Sequence, residues 1–253
     1  MRYPPDHKRW IVRFGAGCRP AVRLICLPHS GAGASSFAGW TAALPDWIEV
    51  CAVQLPGHET RYLEPLCTSI PSLINAMAPA LLPVLLDCPT AFFGHSMGAL
   101  LAFELARQLR REAGVLPRRL YLSAHRAAHL PARHPPTHTL PDDELWALVQ
   151  SFNGTSAEVL AHPELRQIFL PILRADFTAC ETYVYQPDQP LECPVVACGG
   201  LEDDSVTPEE LESWRVHTSA DFRLRLFPGG HFYPATSQLL LHRMIIHDLA
   251  ECL

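Results

Sequence analysis

At 253 residues the chain is long enough for one large domain with a full core. Its 48 % hydrophobic and 18 % charged content argues against a disordered or fibrous chain, and a formal net charge of −6 gives no footing for nucleic-acid binding. Nine cysteines (Cys18, Cys26, Cys51, Cys67, Cys88, Cys180, Cys193, Cys198, Cys252) form no Cys-x-x-Cys pair and lie mostly in apolar runs. They predict buried thiols in a reducing compartment, with neither a zinc site nor a disulfide framework. Met1 to Trp10 is charged and lacks the apolar core of a signal peptide. No stretch reads as membrane-spanning, so a cytoplasmic protein without membrane contact is expected.

In chain order, Trp10 to Phe14 reads as a short edge strand and Val22 to Leu27 as a core strand. The small-residue loop Pro28 to Ser36 opens a helix around Phe37 to Leu44. A strand from Ile48 to Leu55 ends in Pro56-Gly57-His58, and Ile70 to Leu86 reads as a helix. The apolar run Ala91-Phe92-Phe93 comes next, followed by a helical pattern from Met97. Leu120 to Ala124, Pro194 to Gly200 and Phe222 to Phe227 are further strands, and a helix from about Ser237 closes the chain. Strands alternating with helices predict an α/β fold: a mostly parallel sheet covered on both faces.

Between Ser123 and Pro190 the alternation breaks. A Pro- and His-rich run, Leu130 to Pro141, precedes helical patterns only, with Leu165, Ile168, Phe169, Ile172, Leu173 and Phe177 at helical spacing. Pro171 should kink or break that helix. Helices without intervening strands suggest a helical lid inserted at about 127–190 into a single domain spanning 1–253, rather than an ordinary core helix.

Gly94-His95-Ser96-Met97-Gly98, between an apolar run and a helix, has the form of a nucleophile elbow, in which a strained strand-to-helix turn projects the serine hydroxyl. A serine nucleophile needs a base, and the base an orienting acid. Of 13 histidines, His231 fits the base best, following the last strand and the turn Pro228-Gly229-Gly230. Gly199-Gly200-Leu201-Glu202-Asp203-Asp204 offers the acid; Asp203 is preferred, with Asp204 and Glu202 as rivals. The oxyanion hole needs two backbone N–H groups: Met97, after the nucleophile, and one from the early loop, where Ser30 is the choice. Gly31 and Gly33 permit the close backbone approach. His29 is a candidate substrate contact or a structural loop histidine.

The chain resembles the type II thioesterases, the stand-alone editing enzymes of nonribosomal peptide and polyketide assembly lines, siderophore pathways included. The matching segments are Leu27-Pro28-His29-Ser30-Gly31-Ala32-Gly33, Gln54-Leu55-Pro56-Gly57-His58-Glu59-Thr60-Arg61, Gly94 to Gly98, Phe152-Asn153-Gly154-Thr155, Leu170 to Phe177 and Phe227 to Phe232. The resemblance implies an α/β-hydrolase fold, Ser96 as nucleophile, His231 as base, and Asp203 as acid through Gly-x-x-Asp-x-x-Val. It implies hydrolysis of acyl thioesters on the phosphopantetheine arm of acyl or peptidyl carrier proteins, by a monomer with no metal or other cofactor. Trp146, Phe152, Phe169 and Phe177 would line the channel to Ser96.

The family usually has arginine where this chain has His58, a loss that Arg61 would partly compensate; Asp204 stands where proline is common. Arg174 and Asp176 are expected to form an internal ion pair. Arg107, Arg110, Arg111, Arg118 and Arg119 read as cations complementing a helix C-terminus, or as a docking patch for an acidic carrier. The competing readings are a general carboxylesterase or lipase, and a hydrolase-fold binding protein without turnover. Neither the acyl group nor the pathway is legible.

Overall fold

Seven strands pair into one sheet in the computed structural model, which describes residues 7–15, 20–152 and 163–251. They are β1 (Ile11–Phe14), β2 (Val22–Leu27), β3 (Ile48–Val53), β4 (Thr90–His95), β5 (Leu120–Ser123), β6 (Val195–Gly200) and β7 (Phe222–Phe227). The order across the sheet is β1-β3-β2-β4-β5-β6-β7. Only the β1–β3 pair is antiparallel. Every residue of β2, β4, β5 and β6 is buried, as a parallel sheet with both faces covered demands. The described helices are α1 (His7–Trp10), α2 (Ile70–Asp87), α3 (Met97–Ala113), α4 (Asp142–Ser151), α5 (Pro163–Glu181), α6 (Pro208–Glu212), α7 (Tyr233–Thr236) and α8 (Gln238–Ala250).

Alternation along the strands divides the core between the two faces. Ile25, Phe92, Leu122 and Ala197 pack with Leu73 and Met77 of α2 and Leu101 and Leu105 of α3. Their neighbours Leu24, Phe93, Tyr121 and Val196 pack with Phe37 and Trp40, and with Leu241 and Ile245 of α8. The helix expected near Phe37 is a 3₁₀ helix, Ala34–Ala42.

Two further expectations need correction. Helix α2, with 18 residues and a mean hydropathy of 1.5, is long and apolar enough to cross a membrane by length and composition. Its apolar face instead packs on the sheet, with Ile70, Leu73, Ile74, Met77, Leu81 and Val84 buried, which makes it a core helix. Pro171 does not break α5, which runs continuously from Pro163 to Glu181. Pro171 and the residue one turn earlier, Gln167, both lie on the exposed side, so the carbonyl deprived of its partner opens onto solvent.

Between β5 and β6 the described residues contain only helices, α4 and α5. Leu145, Trp146, Val149, Leu170 and Leu173 give this insertion a small core of its own. Arg174 fastens α5 to the start of α4, bonding the Asp142 carboxylate at 2.6 Å and the Leu140 carbonyl at 2.9 Å. The insertion returns to the sheet beneath the arginines of α3. Arg107 bonds the Gln186 carbonyl, Arg110 bonds Gln189 and Pro190 at 2.9 and 2.7 Å, and Arg110 and Arg111 both reach Asp188. Those arginines clamp the returning segment.

Candidate active site

The sheet's carboxyl edge assembles the site. Strand β4 ends at His95, and Ser96 turns the chain into α3 with φ 55° and ψ −119°, a conformation a non-glycine residue rarely adopts. The turn is enforced by backbone contact on both sides. A Cβ on Gly94 would lie 1.9 Å from the Gly98 carbonyl oxygen, and one on Gly98 would lie 2.0 Å from the Leu27 carbonyl oxygen. Glycine is therefore the residue these two positions admit, and the Ser96 N–H is pinned by the Ser123 carbonyl at 2.7 Å.

The ends of β6 and β7 come together by the same device. A Cβ on Gly200 would lie 2.3 Å from the carbonyl oxygens of both Gly229 and Gly230, and Gly229 has φ +111°. This closeness brings the loop after β6 against the loop after β7. His231 Nδ1–H donates to the Asp203 carboxylate at 2.9 Å, leaving Nε2 as the nitrogen able to act as a base. Asp203 is the partner, and neither Asp204 nor Glu202 is: its side chain is 1 % exposed, while both rivals lie at the surface. Burial works against the Asp203 charge, but the His231 bond and charge, with two bonds from Ser205, hold it below the usual carboxylate range. Ser205 is a member of this cluster that the sequence reading missed. Its hydroxyl donates to Asp203 at 2.6 Å and sits 2.9 Å from His231 Nδ1. The signal was available in Asp203-Asp204-Ser205, an Asx turn in which the Ser205 N–H bonds the Asp203 side chain at 2.9 Å.

Ser96, Met97, Ser30, His29 and His231 line one cavity of about 540 Å³. Phe152 and Phe177 line it too, with Leu148 and Val149 of α4 forming further apolar wall. The Phe152 ring lies 6.1 Å, centre to centre, from the His231 ring. Trp146 and Phe169 do not line it, which corrects the single-channel expectation. They border a second cavity of about 550 Å³, which meets the first at His29, Ser30 and Leu173. Met97 is the first residue of α3, so its N–H has no acceptor within the helix. Neither it nor the Ser30 N–H has a partner among the described residues. Burial, aided by nearby His231, lowers His29 to about 4. Burial is also the main reason that His125 falls to about 4. His29 and His125 therefore stay neutral near pH 7. Cys180, also on the wall, is kept a thiol by burial.

A strained serine at a helix head, two backbone donors beside it and a carboxylate-held histidine in the same cavity form a constellation suited to acyl transfer. The family model described as a thioesterase domain matches residues 22–248. The chain belongs to the thioesterase family. This thioesterase is 41 % identical to the gramicidin S biosynthesis protein GrsT of Aneurinibacillus migulanus, over 92 % of this chain and 91 % of that protein. Among solved structures it is similar to the type II thioesterase BorB from the borrelidin biosynthetic cluster (39 % identity, TM-score 0.85, covering 95 % of this chain and 97 % of that one). It is also similar to the RedJ thioesterase of the prodiginine pathway in Streptomyces coelicolor (39 % identity, TM-score 0.83, 90 % and 86 % covered). The fold is that of an α/β-hydrolase thioesterase.

One expectation about charged residues of the thioesterase fails. Asp176 does not pair with Arg174; its carboxylate meets His58 Nε2 at 3.0 Å and the Gly31 N–H at 2.7 Å. One helical turn is 3.6 residues, so positions two apart point to different sides of α5. Arg61 bonds Glu64 and the Gln54 carbonyl and lies 4.3 Å over the Trp10 ring.

Proposed function

We propose that this thioesterase edits a nonribosomal peptide or polyketide assembly line, hydrolysing stalled or wrongly primed acyl groups from the phosphopantetheine arm of carrier proteins. Ser96 is its nucleophile, His231 its base and Asp203 its orienting acid. The observation that carries the reading is the His231–Asp203 pair at 2.9 Å, in a cavity that also exposes Ser96 at the head of α3. Its relatives support the assembly-line role: one is named for gramicidin S biosynthesis, and two others come from the borrelidin and prodiginine pathways.

In the proposed cycle Asp203 holds the imidazole with Nδ1 protonated, so Nε2 takes the Ser96 proton as Oγ attacks the thioester carbonyl. The Met97 and Ser30 N–H groups hold the developing oxyanion. Collapse expels the pantetheine thiol, which leaves with the proton from Nε2. Water, deprotonated by His231, then opens the acyl-serine and releases the carboxylic acid. Side chains and backbone carry every step. Cysteines supply support for a reducing, cytoplasmic setting: the seven among the described residues are free thiols. The enzyme is read as a monomer.

The test is kcat/KM for one acyl chain presented on a carrier protein, on coenzyme A and as an oxygen ester. Binding energy from carrier and arm is available to orient the thioester, so truncated substrates should lose rate as well as affinity. The carrier form should win. A clear preference for the oxygen ester, with no carrier advantage, would replace this reading with a general esterase.

A further inference from the structure

The loop that carries Ser30 is held from two directions. From the sheet side, the Gln54 side chain accepts the Ala34 N–H at 3.1 Å, and the Glu59 carboxylate accepts the Ser35 N–H at 3.3 Å. At Gly31, the residue next to Ser30, both constraints come from the lid helix α5. A Cβ on Gly31 would lie 2.6 Å from Leu173 Cδ2, and the Gly31 N–H donates to Asp176 Oδ2 at 2.7 Å. Leu173 and Asp176 are three residues apart and share a helix face. Gly31 itself has φ +79°, a left-handed conformation that favours glycine.

We propose that Asp176 and His58 are positioning residues of the oxyanion loop, through which the seated lid helix fixes Gly31 and so aims the neighbouring Ser30 N–H. The proposal rests on the hydrolase reading of Ser96 and His231. Asp176 is 2 % exposed, and a lone carboxylate at that depth would be costly. His58, 3 % exposed, supplies the balancing charge. Its Nε2 faces Asp176 Oδ2 at 3.0 Å and its Nδ1 faces the Pro56 carbonyl at 2.9 Å. Both partners are pure acceptors, so both ring nitrogens must donate, and a ring with two N–H groups is the imidazolium. A neutral ring would set a lone pair against one of those oxygens.

The groups facing this pair favour the charged form. Glu59 follows His58 on its own turn; Cys180 of α5 lies near Asp176 and remains a thiol; His29, across the second cavity, is neutral. Burial pulls the His58 pKa down, but the Asp176 bond and charge, the Pro56 carbonyl and the Glu59 charge outweigh it, and the net shift is upward. A raised value means the clamp is complete below the ordinary imidazole pKa of about 6.5 and is lost as pH rises through the higher folded value. Loss of the imidazolium should therefore loosen the Ser30 N–H on the alkaline side while Ser96, His231 and Asp203 remain in place.

The experiment combines thioester kinetics across pH with ¹H–¹⁵N NMR of the His58 ring in the whole chain. Asp176→Ala should lower kcat by up to ~10²-fold, with KM little changed, because a misaimed donor acts on the transition state. Asp176→Asn, whose amide oxygen still accepts from Gly31, should recover part of that loss. His58→Gln keeps a donor toward Asp176 but cannot titrate, and should abolish the alkaline fall. NMR should find both His58 nitrogens protonated at neutral pH, and His58 should titrate lower in Asp176→Asn. Wild-type kcat in Asp176→Ala, or His58 titrating at or below about 6.5 in the wild type, would overturn the proposal. Should Asp176→Ala fail to fold, the His58→Gln profile and the wild-type titration still decide. A wild type that neither hydrolyses thioesters nor takes a fluorophosphonate on Ser96 would remove the hydrolase reading instead, and the His58 titration would report on the clamp regardless.

Discussion

The nucleophile turn and the lid hold the same cavity by opposite means. At the turn, backbone meets backbone: Gly94 against Gly98 and Gly98 against Leu27 leave no room for a single extra carbon. At the lid, side chains reach across long stretches of chain. Asp176 meets Gly31 across 145 residues, and Arg110 holds carbonyls 79 and 80 residues away. A backbone contact tolerates almost no substitution and has one geometry, whereas a side-chain contact leaves room for exchange. The proposed nucleophile therefore sits on the part that tolerates least change, and the apolar wall of its cavity on the part that tolerates more.

The sharpest way to break this contrast is at Ser96. Ser96→Ala retains the backbone turn and removes only the hydroxyl. Turnover should fall by roughly 10⁵-fold or more with the fold preserved, and a fluorophosphonate should label the wild type at this residue alone. Near-normal turnover in the alanine variant, or label on another residue, would take the chemistry away from the turn.

Next in size are the two adjacent aspartates. Asp203→Asn should cost up to ~10⁴-fold in kcat, because the amide disturbs the His231 tautomer, while exposed Asp204→Asn should cost little. The depressed Asp203 pKa adds a second readout. Stability from the His231 pair is present above the ordinary carboxyl value of about 3.9 and is lost as pH falls through the lower folded value, so Asp203→Asn should flatten that acid limb in thermal melts. An Asp204 variant that behaved in both ways would move the acid by one residue.

The same division explains what could be read from the sequence. Elbow, strands and the order serine, acid, histidine were legible because each depends on near neighbours: Gly-x-Ser-x-Gly after an apolar run, and glycines ending β6. Asp203 was preferred over Asp204 and Glu202 from its place after β6, and the family pattern strengthened that preference, since spacing alone separates neighbouring loop carboxylates weakly. Ser205 was legible in principle as a local Asx turn. The partners of Asp176 and Arg174 were not. The two lie two residues apart in sequence, and their partners are chosen by how α5 seats: Asp176 against the loops after β2 and β3, Arg174 against the start of α4. Nor does helical periodicity separate Phe177, on the cavity with Ser96, from Phe169, on the other; both belong to one apolar stripe.

The smallest expected effect follows from that last pair of cavities, and it bears on whether the lid's plasticity is functional. Phe177 borders the cavity that holds Ser96, whereas Trp146 belongs to the lid's own core and borders the neighbouring cavity. Truncating Phe177 enlarges the space into which an acyl chain would extend. Phe177→Ala should thus shift kcat/KM toward longer chains by about 10-fold, the size of effect a few methylene contacts supply. Trp146→Ala removes a buried ring from a small cluster, so its cost should appear as lid stability, up to ~3 kcal/mol and visible as faster hydrogen exchange in α5. Its profile of rate against chain length should keep the wild-type shape. If Trp146→Ala reshapes that profile and Phe177→Ala does not, the acyl group occupies the cavity between the Ser30 loop and α5, and the pantetheine arm takes the one assigned here to the acyl chain.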